Sequence, residues 1–420
     1  MGSAERALRA VLLSCLLTTP LFAQYENTPH VFVSPGGPRM PIRAQAGDCS
    51  IAPRFANFLT EGPTDRELHA PSVGTMRAVM LFVDFPDAPS AEQTQTLYDT
   101  IVPKSQEWFA EVSHGRFNVA VTPVHGWRRM PLPSTSYGFD SLTFEKQKKY
   151  FLDAIALTDA DVDFSPYDTL LVVSSAAAKI PVSPTYLAYA GAGVPTADGR
   201  ELRWGVTFGN DVRVQRWGEY ILAHETQHML GLPDLYRFTN QIFPNFLRDA
   251  GGWDVMSWIR PGAHAMAWHK RKLGWIDETQ IACAQGPRFE ATLTPTATDG
   301  GVKAIVVRVD DDTAIVAELR RAIGADARLC DSGLLIYTVD ASTLTGFGPV
   351  KVLNGGNGEA PAVINECGPI YDATFDIRNG KLTRVTADGT ITFELVSVSD
   401  SEARVRVLRP LATKRRSATK

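Results

Sequence analysis

His224-Glu225-Thr226-Gln227-His228-Met229-Leu230-Gly231-Leu232-Pro233-Asp234 is the stretch that decides how the rest of the chain is read. It closes a helix-compatible tract running from Val212 to Leu230. Histidines four residues apart on a helix project from one face, because four steps of about 100° leave them about 40° apart. Two imidazoles so placed can grip one metal ion. Neutral imidazole suits Zn²⁺, and Glu225, next to the first histidine, is placed to take a proton from a water that the metal activates. Gly231 stands where the helix must end and Pro233 cannot continue it, so the chain turns sharply and can swing Asp234 back towards the histidines. Catalytic zinc takes three protein ligands and keeps a fourth position open. Asp234 is the candidate third ligand, with His264 and His269 in reserve. Without a metal, Asp234 would be a turn carboxylate after a proline and the two histidines an ordinary half-buried pair.

Upstream, the run Arg77-Ala78-Val79-Met80-Leu81-Phe82-Val83-Asp84-Phe85 is almost continuously apolar and stops at Pro86-Asp87. It predicts a strand buried on both faces and central in a sheet. Between Ala91 and Val112 the residues Leu97, Ile101, Trp108, Phe109 and Val112 fall mostly at helical spacing, and His114-Gly115 ends the pattern. Arg116 to Val121 alternates like a strand, Phe144 to Leu157 predicts a second helix, and Thr169 to Val173 another buried strand. After Trp275 the texture changes to short β-rich runs, among them Ala304–Val309, Thr313–Leu319, Leu334–Val339, Thr390–Val396 and Ala403–Leu408. These predict an antiparallel sandwich-like region. The expected fold class is α+β: a catalytic domain over residues 75–277 with a mixed twisted sheet and an active-site helix, then a β-rich accessory domain over 278–410.

With 420 residues, 44% of them hydrophobic, the chain can bury a substantial core. Its 42 basic and 46 acidic residues, a net charge of -4, are mixed along the chain and leave no footprint for nucleic acid. Arg6 and Arg9 precede an apolar run from Ala10 to Leu17, then Leu21-Phe22-Ala23, the order of a secretory signal cut after Ala23. A secreted, extracellular product with no stable membrane insertion is expected. Residues 24–74 are rich in Pro, Gly and Ala and read as a leader or short pro-segment, with order resuming at Thr75. Cys49, Cys283, Cys330 and Cys367 form no CxxC pair. They point to two disulfides, at least one stapling the last third, and away from a cysteine zinc site. Residues 411–420, with Lys414-Arg415-Arg416, read as a solvated basic tail.

Further resemblances build on these residues. HETQHMLGLPD (224–234) has the form HExxHxxGxxD and resembles the extended motif of the metzincins, with Asp in place of the commoner third His. Gly251-Gly252-Trp253-Asp254-Val255-Met256-Ser257-Trp258 resembles the turn that places a methionine beneath their metal. Together with VMLFVDFPD (79–87), WFAEVSHGRF (108–117) and AWHKRKLGWI (267–276), these motifs resemble the M6 family of immune-inhibitor-A-type metallopeptidases over about residues 75–277. The resemblance implies a zincin-like catalytic domain and a secreted zinc endopeptidase acting on protein or peptide substrates. In it His224, His228 and Asp234 hold Zn²⁺, Glu225 is first base and then acid to the leaving amine, Gly231 permits the turn, and Met256 supports the histidines. Tyr236 is a candidate donor to the oxyanion. The leader is shorter than the pro-peptides such enzymes can carry, and nothing after Ile276 matches a known accessory module. Two other functions use the same residues: a zincin scaffold that binds surfaces through its β-rich region, and a zinc hydrolase with a non-peptide substrate. The intact Glu225 argues against a scaffold, which has no physical need of that base.

Overall fold

A computed structural model describes residues 31–35, 49–56, 58–238, 245–329, 331–355, 370–379, 383–387 and 389–409. Its first half is built on strands β1 (Val31–Val33), β2 (Gly74–Asp84), β3 (Phe117–Arg129), β4 (Thr169–Ser174) and β5 (Thr185–Leu187), then a small ribbon of β6 (Val194–Pro195) and β7 (Glu201–Leu202), then β8 (Trp204–Phe208). Six of these form one sheet in the order β1-β5-β8-β4-β2-β3. β3, β2, β4 and β8 are mutually parallel, whereas β5 runs antiparallel to β8 and β1 joins the edge parallel to β5.

β2 explains the unbroken apolar run. Ala78, Met80 and Phe82 enter the larger core on one face, while Val79, Leu81 and Val83 enter a second core on the other. A strand covered on both sides has no polar face to alternate with. It lies inside the sheet, one strand from its edge.

Parallel strands need crossovers, and helices supply them. β2 reaches β3 through α1 (Thr94–Ile101) and α2 (Pro103–Val112). The single helix expected between 91 and 112 is thus two, because Pro103 lacks the N–H that would continue α1 and instead opens α2 at its first position. α3 (Phe144–Ala156) starts at Thr143, whose side chain accepts a hydrogen bond from the Lys146 N–H, and leads to β4. Tyr150 and Phe151 of α3 pack in the second core, while α1, α2 and α4 (Trp217–Met229) cover the opposite face. The helix expected from Val212 begins later. Asn210–Arg213 forms a separate 3-10 turn, and Arg216, at φ 65°, breaks the path before Trp217. A short helix the periodicity did not reveal, α5 (Ala267–Leu273), ends at Gly274 in the left-handed region.

The second half holds β9 (Ile281–Cys283), β10 (Arg288–Leu293), β11 (Ala304–Arg308), β12 (Thr313–Arg320), β13 (Gly333–Asp340), β14 (Val350–Val352), β15 (Arg384–Ala387), β16 (Ile391–Val398) and β17 (Ala403–Leu408). They make a four-stranded antiparallel sheet, β10-β17-β16-β15, and a five-stranded one, β14-β13-β12-β11-β9, in which only β9 runs parallel to its neighbour. Ile305, Ile315 and Ile336 meet Phe393, Val405 and Val407 between the two sheets. On the other face of the five-stranded sheet, Val306, Val316 and Tyr337 enter the same core as Trp253 and Met256. That sheet is therefore a middle layer, buried on both sides. The molecule as a whole is α+β.

Order begins before Thr75. Cys49 is bonded to Cys283, and Ile51, Leu59 and Leu68 are buried in the larger core. This stretch shows no periodicity because its side chains enter the core singly, without a helix or strand to space them. The observed disulfide ties the N-terminal segment to β9, so it does not lie within the last third. Residues 1–23, 411–420, Cys330 and Cys367 lie outside the described residues. Among the described residues no helix is long and apolar enough to cross a membrane.

Candidate metal centre

α4 carries both histidines on one face, their ring centroids 4.8 Å apart and their planes at 89°. Each ring is oriented from behind by a backbone carbonyl. His224 Nδ1 donates to Val255 O at 2.9 Å and His228 Nδ1 donates to Leu232 O at 2.8 Å. With the proton on Nδ1, the Nε2 lone pair of each ring faces inward, the tautomer a metal needs.

The end of α4 supplies the third group. Gly231 donates its N–H to His228 O at 3.0 Å and holds φ at 102°, where a side chain is strained. A Cβ there would also stand 2.7 Å from Thr64 Cγ2, so glycine is required on two counts. The reversal puts the Leu232 carbonyl under His228 and brings Asp234 Oδ1 to 3.3 Å from His224 Nε2 and 3.2 Å from His228 Nε2. Thr345, in the loop after β13, accepts the Asp234 N–H at 2.9 Å, and Gly346 N–H donates to the Asp234 carbonyl at 3.2 Å.

The three side chains fit a metal ion. Their ligand atoms all lie within 4.8 Å of one another, and His228 Nε2 and Asp234 Oδ1 are buried without a hydrogen-bond partner. Donors arranged tetrahedrally about 2.0–2.1 Å from one ion stand about 3.3 Å apart, the spacing seen between carboxylate and imidazoles. Burial by itself would raise the Asp234 carboxyl, but the positive charge that His228 and His224 carry when protonated outweighs it and holds the group well below the usual carboxylate range.

Glu225, 3% exposed, occupies the adjacent position on α4. Thr185 of β5 donates its hydroxyl to Glu225 Oε2 at 2.7 Å. Burial pushes the Glu225 carboxyl well above its ordinary value, the Thr185 hydrogen bond opposes this, and the Asp234 charge adds to the rise. Such a carboxyl holds a proton more readily than an ordinary glutamate, as a general base requires.

Other predicted residues also gather here. Tyr236 stacks on His224 with ring centroids 6.4 Å apart; burial, then the charges of Asp234 and Glu225, lift its hydroxyl well above the ordinary value. Met256 is buried, and its carbonyl accepts the Leu235 N–H at 3.0 Å, joining its turn to the segment bearing Asp234. The reserve ligands His264 and His269 are elsewhere. His264 Nε2 lies 3.1 Å from Glu111 Oε1, and His269 sits between Glu61 and Asp254, so carboxylates engage both rings away from the α4 pair. Thr185 and Thr345 escaped the sequence reading. The first lies in a three-residue strand and the second in a loop 111 residues from Asp234, so no local pattern marks either. No protein-family model matches the chain, and no curated protein matches it.

Proposed function

We propose that this chain is an exported zinc-dependent endopeptidase of metzincin-like design. The observation that carries the proposal is the convergence of His224 Nε2, His228 Nε2 and Asp234 Oδ1 beside a buried Glu225 carboxyl. Two imidazoles and one carboxylate are a donor set suited to zinc with one position left open. The resemblance of the motifs at 224–234 and 251–258 to those of the immune-inhibitor-A-type metallopeptidases supports the same function. An N-terminal signal pattern and the Cys49–Cys283 disulfide support export.

When bound, zinc would supply Lewis-acid polarisation of the scissile carbonyl and make a water acidic enough to give up a proton to Glu225 as it attacks. The chain's own groups do the rest. Val255 and Leu232 hold the two imidazoles in the ligating tautomer. Thr185 pins Glu225 Oε2 and leaves Oε1 to take a proton from the attacking water. Glu225 then returns that proton to the leaving nitrogen as the C–N bond breaks. Tyr236, stacked beside His224 and hydrogen-bonded to Asp234, is the candidate donor to the carbonyl oxygen as that oxygen gains charge.

The test is incubation of purified protein with casein, with and without a chelator, alongside elemental analysis. Cleavage lost with chelator and restored by zinc, at about one zinc per chain, is the expected result. Cleavage indifferent to the chelator would sink the proposal. Zinc bound without proteolysis would turn the assignment towards a non-peptide substrate or a binding scaffold.

A further inference from the structure

We propose that His269, clamped between Glu61 and Asp254, is a positioning residue of the metal centre that fixes, through Asp254, the backbone carbonyl orienting His224. The proposal rests on the metal-centre reading above. His269 lies on α5, fully buried, with Nδ1 2.8 Å from Asp254 Oδ2 and Nε2 3.1 Å from Glu61 Oε1. Both carboxylates are buried as well. Two carboxylates withdrawn from water require a donor on each side of the ring, which only the doubly protonated imidazole provides. Burial opposes that proton, but Glu61 and Asp254 together raise the group to about 10.

Asp254 passes the constraint on. Its Oδ1 accepts the Met256 N–H at 2.8 Å, and its Oδ2 accepts the Met266 N–H at 2.7 Å besides His269. Val255 lies between Asp254 and Met256, and its carbonyl is the acceptor for His224 Nδ1. The route is therefore Glu61, His269, Asp254, the Val255 carbonyl and His224. Glu61 belongs to the segment tethered by Cys49–Cys283 and its carbonyl also accepts the Trp268 indole N–H at 3.1 Å. On this proposal the residues after Cys49 support the metal centre and stay with the working protein.

Zinc affinity, measured on the full chain by competition with a chromogenic chelator, tests this together with the thermal midpoint. His269→Gln keeps a donor where Nε2 stood, and His269→Asn keeps one where Nδ1 stood. Zinc binding weaker by about 10-fold is expected for His269→Gln, the low end of the effect of losing a partner directly behind a ligand because Asp254 and the Val255 carbonyl stand between, with a substantial part recovered in His269→Asn. Folded variants that lower the midpoint but bind zinc as the wild type does would overturn the proposal, since a purely structural residue behaves that way. Equal weakening by both would overturn the route through Asp254. Should neither His269 variant fold, Glu61→Gln fits the same volume and still accepts a hydrogen bond. It should weaken zinc severalfold, and unchanged affinity there would overturn the proposal. Wild-type protein that binds no zinc removes the metal-centre reading itself, whereas tight wild-type binding with unaltered variants removes only the role of His269.

Discussion

His228 Nε2 and Asp234 Oδ1 are buried polar atoms facing one another without a hydrogen-bond partner, a cost a folded chain rarely accepts without compensation. A shared cation is the compensation proposed here, and it makes single substitutions discriminating. His228→Ala should abolish both zinc content and proteolysis, as read by elemental analysis and casein cleavage. Glu225→Gln should keep zinc while turnover falls by about 10²- to 10⁴-fold, because a base is lost and a ligand is not. Asp234→Ala should weaken zinc, while Asp234→His should preserve much of the binding, imidazole being an equally suitable donor. Unchanged stoichiometry in both, with only about 1 kcal/mol of lost stability, would make Asp234 a turn residue.

The elements bearing the site are held by backbone geometry at one end and by buried charge at the other. Gly231 terminates α4 in a conformation and a space that both exclude a side chain. Gly231→Ala is therefore expected to cost about 1–3 kcal/mol in denaturant unfolding and to weaken zinc, since the same turn delivers Asp234. α5 is held through His269, whose value rises from 6.5 to about 10 in the folded state because Glu61 and Asp254 outweigh the opposing burial. A raised folded value stabilises where the group is protonated. Its contribution should be complete below pH 6.5, decline as pH climbs towards about 10 and vanish above it. Thermal unfolding of wild type and His269→Gln should show a gap that narrows over that window, and a gap constant from pH 6 to 11 would contradict the clamp.

Across the whole molecule, the segment from Trp253 to His269 is gripped by the five-stranded sheet as well. Arg320 of β12 donates to Trp253 O at 2.8 Å and His264 O at 3.3 Å, and Glu318 accepts the Ala267 N–H at 2.7 Å. Both side chains are fully buried, Arg320 paired with Asp326 and Glu318, so the β-rich half anchors the loop that orients His224. A chain truncated after residue 277 would expose the apolar face that meets Val306, Val316 and Tyr337. It should lack cooperative unfolding and zinc binding, and a folded, zinc-binding fragment would contradict this dependence. The Cys49–Cys283 bond spans a sequence separation of 234 and restrains the unfolded chain accordingly. Replacing both cysteines by serine should lower stability by about 2–5 kcal/mol in denaturant titration.

How much of this the residues announce depends on the range over which each constraint acts. The two histidines and the glutamate are legible because helical geometry alone puts positions four apart on one face. Gly231 and Pro233 announce the turn, and the unbroken run in β2 announces a doubly covered strand, since each constraint is local. α5 and the strands β5 and β14 have too few residues to show a period, and Pro103 splits a pattern that otherwise looks continuous. The choice of Asp234 over His264 and His269 was open in the sequence because all three carry suitable donors. Tertiary structure settled which one meets the α4 pair, by engaging both other histidines with carboxylates from distant segments. Thr185 behind Glu225, Thr345 behind Asp234 and Glu61 behind His269 were decided by the fold alone. Hydrogen bonds between residues 40, 111 and 208 positions apart leave no local mark, because they exist only once the sheets and helices have packed.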